Sequence, residues 1–422
     1  MDKFRVTVIV VIMLLLLWVA LAWPSQRIVS AAAACGTMTS DSGTGFPLLN
    51  TDNCAPDNAT PPVRKAWKPL MINTTSVCVD WILYHTNQSG SWNIYRLGEL
   101  PDQPKADANL TKGKGKGIVD MSPSLSPDGQ WLAFTSNRTG NWELYVASND
   151  GTTQARSTYT TTAANLAPMW SPDGKFIAYE STLMGGHNIY LFDVTKGTST
   201  RLTTDSGNDI NPFWSPDSSK IVFQSDRSGT AQWQIYVFDL TSKSDMLLSD
   251  GNGIDVDPQY SPDGKLIAFR SYRGGVLSAI YTMNANGAAV QRISDPAGNA
   301  LNQAWSPDST LIAYQSNLDG DDDIYVYQVT TGKSRHVTDN TVADYAPTWR
   351  CNADTSFIVF TSEITGTPAI YQTSALPLNN RGVKPEDINQ LTFDKGKDMF
   401  PENAPAVESA SHQTGITPPT AK

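Results

Sequence analysis

Short runs of apolar and β-branched residues, each bounded by turn residues, recur along most of the chain. Phe176-Ile177-Ala178-Tyr179 is followed, after one polar loop, by Ile189-Tyr190-Leu191-Phe192. Such runs are too short for amphipathic helices and predict β-strands. The first of them follows Ser171-Pro172-Asp173-Gly174, and the same turn returns as Ser126-Pro127-Asp128-Gly129, Ser215-Pro216-Asp217-Ser218, Ser261-Pro262-Asp263-Gly264 and Ser306-Pro307-Asp308-Ser309. Their first serines are 45, 44, 46 and 45 residues apart. A fixed period of that size predicts one four-stranded propeller blade per repeat.

Each part of the repeat has a local reason. Proline presets φ at the second turn position, Asp suits the third, and Gly supplies positive φ where the chain enters the next strand. The aromatic before the turn (Trp170, Trp214, Tyr260, Trp305, Trp349) ends one strand, and the β-branched run after it begins the next. A third strand carries Ile-Tyr or Leu-Tyr, as in Leu144-Tyr145 and Ile280-Tyr281, and a fourth closes on Arg201-Leu202-Thr203 or His336-Val337-Thr338. Degenerate copies at Ile82-Leu83-Tyr84 and Phe357-Ile358-Val359 bring the second strands to seven. The inner strands begin at Asp120, Asn165, Asp209, Asp255, Ala300 and Asp344, and a seventh at Asp398, after the last blade has ended. The fold expected is therefore an all-β, seven-bladed propeller whose C-terminal segment returns to complete the first blade. A six-bladed ring with one copy left outside it is the alternative.

The pattern of Ser-Pro-Asp-Gly, Ile-Ala-Phe, Ile-Tyr-Val and Arg-Leu-Thr resembles the WD-like repeat of the TolB-type β-propellers, also found in the propeller domains of prolyl-oligopeptidase-like enzymes. The resemblance covers roughly residues 78–405 and speaks for fold rather than for activity. TolB itself implies a six-bladed ring preceded by an α/β domain. Residues 35–77 are too short and too loop-like to be that domain, which leaves the Tol-Pal role of that family in doubt here.

Lys3 and Arg5 precede an apolar run from Val6 to Trp23, a signal peptide or a membrane anchor within residues 1–34 that implies export. Ala32-Ala33-Ala34 offers a cleavage site and stands before Cys35, where lipidation is a third outcome. Residues 35–77 read as a linker or stapled extension, 78–405 as the propeller, and 406–422 as a disordered tail. Cys35 with Cys54, and Cys78 with Cys351, are the expected disulfides of an exported chain, the second locking the ring where its ends meet.

A net charge of −10 without a basic stripe argues against nucleic acid, and membrane contact is expected only through the N-terminal segment. No catalytic motif is present: the four histidines, His85, His187, His336 and His412, are scattered. The hydrolase domain that accompanies similar propellers has no room after residue 405 of this sequence.

The constellation that could bind comes from superposing repeats. Asp120, Asn165, Asp209, Asp255, Asp344 and Asp398 fall at one position per blade, with Asp257 two residues inside, and would ring one mouth of the channel. Such a mouth would attract a cation or a basic peptide, whereas the alternative is that these residues only shape the connection between blades. Trp92, Trp142 and Trp233 are candidate aromatic contacts, with packing between blades as their other role. Asp319, Asp321 and Asp323 are weak metal candidates; no cofactor is expected, Ca²⁺ apart, since their spacing departs from a calcium loop. The function expected is an exported, monomeric scaffold for a protein or peptide. A small-ligand or Ca²⁺ sensor is the alternative, ahead of a propeller hydrolase or lyase.

Overall fold

A computed structural model describes residues 82–97, 108–375 and 388–403, apart from 114, 116, 229–231, 276, 351–356 and 394–397, together with the pairs 39–40 and 47–48. The chain divides into two compact units, Met1–Arg64 and Lys65–Lys422. In the first, Thr39–Ser40 pairs antiparallel with Pro47–Leu48. The apolar run at 6–23, the alanines at 32–34, the tail at 406–422 and all four cysteines lie outside the described residues, so the two disulfides stay expectations. Among the described residues no helix is long and apolar enough to cross a membrane.

The second unit is a seven-bladed propeller of four-stranded antiparallel sheets, which excludes the six-bladed alternative. Six blades follow the chain, beginning at Asp120, Asn165, Asp209, Asp255, Ala300 and Asp344; these are blades 2 to 7. Blade 1 joins the two ends of the unit: Asp398–Asn403 is its inner strand, followed by Ile82–Thr86, Asn93–Leu97 and Ala108–Asn109.

The turn chemistry is as its residues dictate. The amides of Gly129, Gly174 and Gly264 bond back to the carbonyls of Ser126, Ser171 and Ser261, and the serine hydroxyl donates to the Asp carboxylate two residues on. Where glycine is missing, Ser218 and Ser309 take the left-handed conformation, at φ 60° and 64°. Each offsets that strain by accepting an amide bond across blades, from Asp173 and Asp263, at 3.0 Å. Every inner strand of blades 2 to 7 slips register after its second residue. The residue after the slip (Ser122, Ala167, Asn211, Asp257, Asn302, Ala346) has φ between 49° and 55°, a β-bulge built without glycine.

Apolar side chains pack between adjacent blades. Phe213, Val222 and Ile235 of blade 4 bury against Tyr260, Ile267 and Phe269 of blade 5. Ile82, Tyr84 and Tyr95 of blade 1 bury against Val359, Ile370 and Leu391 of blade 7, so the ring is closed by core packing as well as by a strand. Each such side chain contributes roughly 2 kcal/mol when taken from water. Trp214, Trp305 and Trp349 also donate their indole N–H to the preceding blade, at Met169, Gln259 and Ala304.

Ending the chain after Asn389 removes the strand that pairs with Ile82–Thr86 and bares an edge. The thermal midpoint is expected to fall by at least about 10 °C, a loss of a few kcal/mol, with association in sedimentation. An equally stable monomer would refute closure by the C-terminal strand.

Candidate functional site

The amide of every inner strand's first residue reaches back to the residue that precedes the third strand of the previous blade. Asp120 bonds Trp92, Asn165 bonds Trp142, Asp209 bonds His187, Asp255 bonds Trp233, Ala300 bonds Ser278, Asp344 bonds Asp322 and Asp398 bonds Pro368, all at 2.6–3.0 Å. The ring expected from the repeats is thus assembled, at the face where second strands pass into third strands. Its side chains, however, are not open to that face. Asp120, Asn165, Asp209, Asp255, Asp344 and Asp398 are all buried.

Three of these carboxylates meet an arginine from their own blade's second loop. Arg138 reaches Asp120 at 2.8 Å, Arg227 reaches Asp209 at 2.7 Å and Arg273 reaches Asp255 at 2.7 Å. Each guanidinium also takes a serine hydroxyl through Nε and lies over an aromatic pair, as Arg227 does over Phe223 and Tyr236. Asn165 donates to buried Glu143, itself paired with Arg156. Asp257, at the bulge, is held by Arg270 at 2.8 Å and accepts a bond from Asn211 of blade 4. An acidic mouth poised for a cation would need these charges unspent and exposed, and their geometry instead spends them on pinning each blade's second loop to its own inner strand, with Asn165 and Asp257 bonding to the preceding blade.

Asp344 differs. Its blade has Ile364 where Arg138, Arg227 and Arg273 stand, and burial pushes its carboxyl up to about 6 although Asn340 donates to it at 2.7 Å. Trp92, Trp142 and Trp233 are likewise buried, and the first two pack with Val119, Met121 and Leu166. Inaccessible rings cannot form a ligand platform, so the packing role is the one they fill.

The described structure shows a second polar ring that the sequence reading passed over. Residue five of the second strands is polar in blades 2 to 7, and in blades 3, 4 and 6 Glu180, Gln224 and Gln315 each accept an amide from the bulge of the following blade, at Asn211, Asp257 and Ala346. His85 takes that place in blade 1, where burial lowers it to about 4 and keeps the imidazole neutral. The signal was a polar residue after Tyr or Phe in each second strand.

Two groups on the loop face remain. Asp319 and Asp323 lie with His336, their ligand atoms within 4.8 Å of one another, while Asp321 falls outside the set. Among the described residues, six of the eight large exposed apolar side chains are also here. Leu183, Met184, Leu277 and Ile364 sit in second-to-third-strand loops, and Tyr159 and Phe393 in the connections to the next blade. Met184 is 65% exposed and Phe393 69%.

A family model described as the TolB β-propeller domain matches residues 152–233. The chain carries a TolB-like β-propeller. TolB from Acinetobacter baumannii aligns over 77% of this chain and 67% of its own, at 19% identity and TM-score 0.52. An oligogalacturonate lyase in complex with manganese aligns over 72% and 84%, at 16% identity and TM-score 0.52. A puromycin-hydrolyzing peptidase from Mycobacterium tuberculosis aligns over 78% of this chain but 54% of its own, at 12% identity and TM-score 0.54. At these identities the likeness of the TolB-like propeller to each is one of fold. No curated protein matches the chain.

Two substitutions separate paired from unpaired carboxylates. Asp255→Asn removes the buried partner of Arg273, which keeps only the half-exposed Asp250 at 3.1 Å, and is expected to cost about 2–3 kcal/mol in denaturant unfolding at pH 7. Asp344, raised from 3.8 to about 6, binds an extra proton in the folded state between those values. Stability from it is full below about pH 4 and is lost as pH rises through 6, a change of about 3 kcal/mol. Asp344→Asn should flatten that loss; an unchanged pH profile would show the carboxyl to be ionised throughout.

Proposed function

We propose that this protein is an exported, non-catalytic binding module that takes a protein partner on the loop face of its propeller. The observation that carries this reading is the gathering of Tyr159, Leu183, Met184, Leu277, Ile364 and Phe393 on one face, while the turns of the opposite face hold none of the large exposed apolar residues among those described. Exposed apolar side chains set among polar loops are what a protein interface desolvates, and a rigid ring presents them without the cost of ordering loops from a flexible chain. Export is inferred from the apolar run at 6–23 behind Lys3 and Arg5. The buried carboxylates of Asp120, Asp209 and Asp255 support the contact from beneath by fixing where each loop begins. The acidic mouth is therefore the frame of the interface, and its apolar loops are the contact.

Affinity capture from a detergent extract of the cell envelope, with the whole chain as bait, tests this. Leu183→Asp with Met184→Asp should cut recovery of a specific partner at least about tenfold without moving the thermal midpoint. Met246→Asp, an equally exposed change on an outer strand, should retain it. Equal capture by both variants would remove the loop face as the contact.

A further inference from the structure

Blade 6 departs from the electrostatic scheme of blades 2, 4 and 5. Blades 2, 4 and 5 place Arg138, Arg227 and Arg273 two residues after the last serine of the second strand, where the guanidinium stacks on an aromatic pair and neutralises the carboxylates below. Blade 6 has Leu318 at that place, so no guanidinium is supplied from that position. Its loop is nevertheless the most acidic in the propeller, Asp319-Gly320-Asp321-Asp322-Asp323. The ring stacked on the third-strand tyrosine here is His336, face to face with Tyr325 at 4.4 Å between centroids.

Asp323 is fully buried, and its Oδ1 accepts from the Thr338 hydroxyl at 2.8 Å. Its Oδ2 faces His336 Nε2 at 3.3 Å, an ion pair when the imidazole is protonated, and neither atom takes a hydrogen bond from elsewhere. Asp319 Oδ2 lies 3.5 Å from the same nitrogen and is open to solvent from its own side. Three potential ligand atoms, two of them buried and bonded to nothing outside the cluster, thus converge from a loop, a third strand and a fourth strand. The tyrosine stack holds the imidazole in its plane, as an outer layer does for a metal ligand.

We propose that Asp319, Asp323 and His336 form a binding site for a divalent transition-metal ion of the Zn²⁺ or Mn²⁺ class. An imidazole beside two carboxylates suits those ions, whereas Ca²⁺ prefers a shell made of oxygen alone. The site lies against the third-strand tyrosine of blade 6, the place where blades 2, 4 and 5 stack a guanidinium. Three protein ligands leave room for water or for a donor from a bound partner. The inference goes beyond the partner reading and stands apart from it, since the test needs no partner.

The whole chain, freed of metal with a chelator and carrying no histidine tag, is titrated with ZnCl₂ in a calorimeter. One Zn²⁺ should bind per chain with micromolar or tighter affinity, and the thermal midpoint should rise with zinc. Asp319→Asn, at an exposed position, should weaken binding at least about tenfold while leaving the metal-free midpoint unchanged; His336→Gln should weaken binding likewise, at some cost to the midpoint because it also removes the partner of buried Asp323. A chain that binds no zinc, or binds it equally in both variants, would reduce the cluster to an ion pair between imidazolium and carboxylates. Ca²⁺ binding as tight as Zn²⁺ would overturn the metal class.

Discussion

The propeller depends on one hydrogen bond repeated seven times, from the first amide of each inner strand to the carbonyl just before the third strand of the blade behind it. Strands within a blade satisfy one another, but nothing in a four-stranded sheet fixes how the next sheet must stand against it. That bond does, because it ties the start of one sheet to the loop end of the last and makes the angle between them a property of the backbone. The bulge two residues further in then turns the inner strand, and the tryptophan at its far end donates to the preceding inner strand in blades 4, 6 and 7. Apolar packing supplies most of the stabilisation, while these polar stitches decide which packing occurs.

Much of this was legible in the chain. Spacing, the Ser-Pro-Asp-Gly turn and the residue run Asp398-Met399-Phe400-Pro401 after Thr392 led to seven blades and to closure by the C-terminal strand, because period and turn chemistry are local properties. The position of Asp120, Asp209 and Asp255 was legible too, but not their burial. A carboxylate that recurs once per repeat looks alike whether it points at solvent or at a guanidinium. The sign that separates the cases was present in the spacing, since each of the three is followed 18 residues later by Arg138, Arg227 or Arg273. Asp344 has Ser362 at that spacing, and with no guanidinium from there to offset burial its carboxyl is pushed up to about 6.

The exposed apolar residues were illegible for the opposite reason. Leu183, Met184, Leu277 and Ile364 stand at loop positions whose residue type changes from blade to blade, so superposing blades averages them away. His336 was read only as the opening of a closing strand, yet it stacks on Tyr325 and faces two carboxylates. What the repeats share builds the frame, and where blades differ they carry whatever is particular to this protein.

Closure by the last strand also sets an order of events. Blades 2 to 7 are each contiguous in sequence and can form as hairpins soon after their residues are available. The three strands at 82–109 must wait for residues 398–403, nearly three hundred positions later. Until then the chain has two open edges and an incomplete first sheet, a long-range pairing of the kind that folds late and is vulnerable meanwhile. A chain threaded N-terminus first through a pore would therefore stay an open arc until its final strand emerged. The ring is a structure that only the whole chain, delivered to one compartment, can complete.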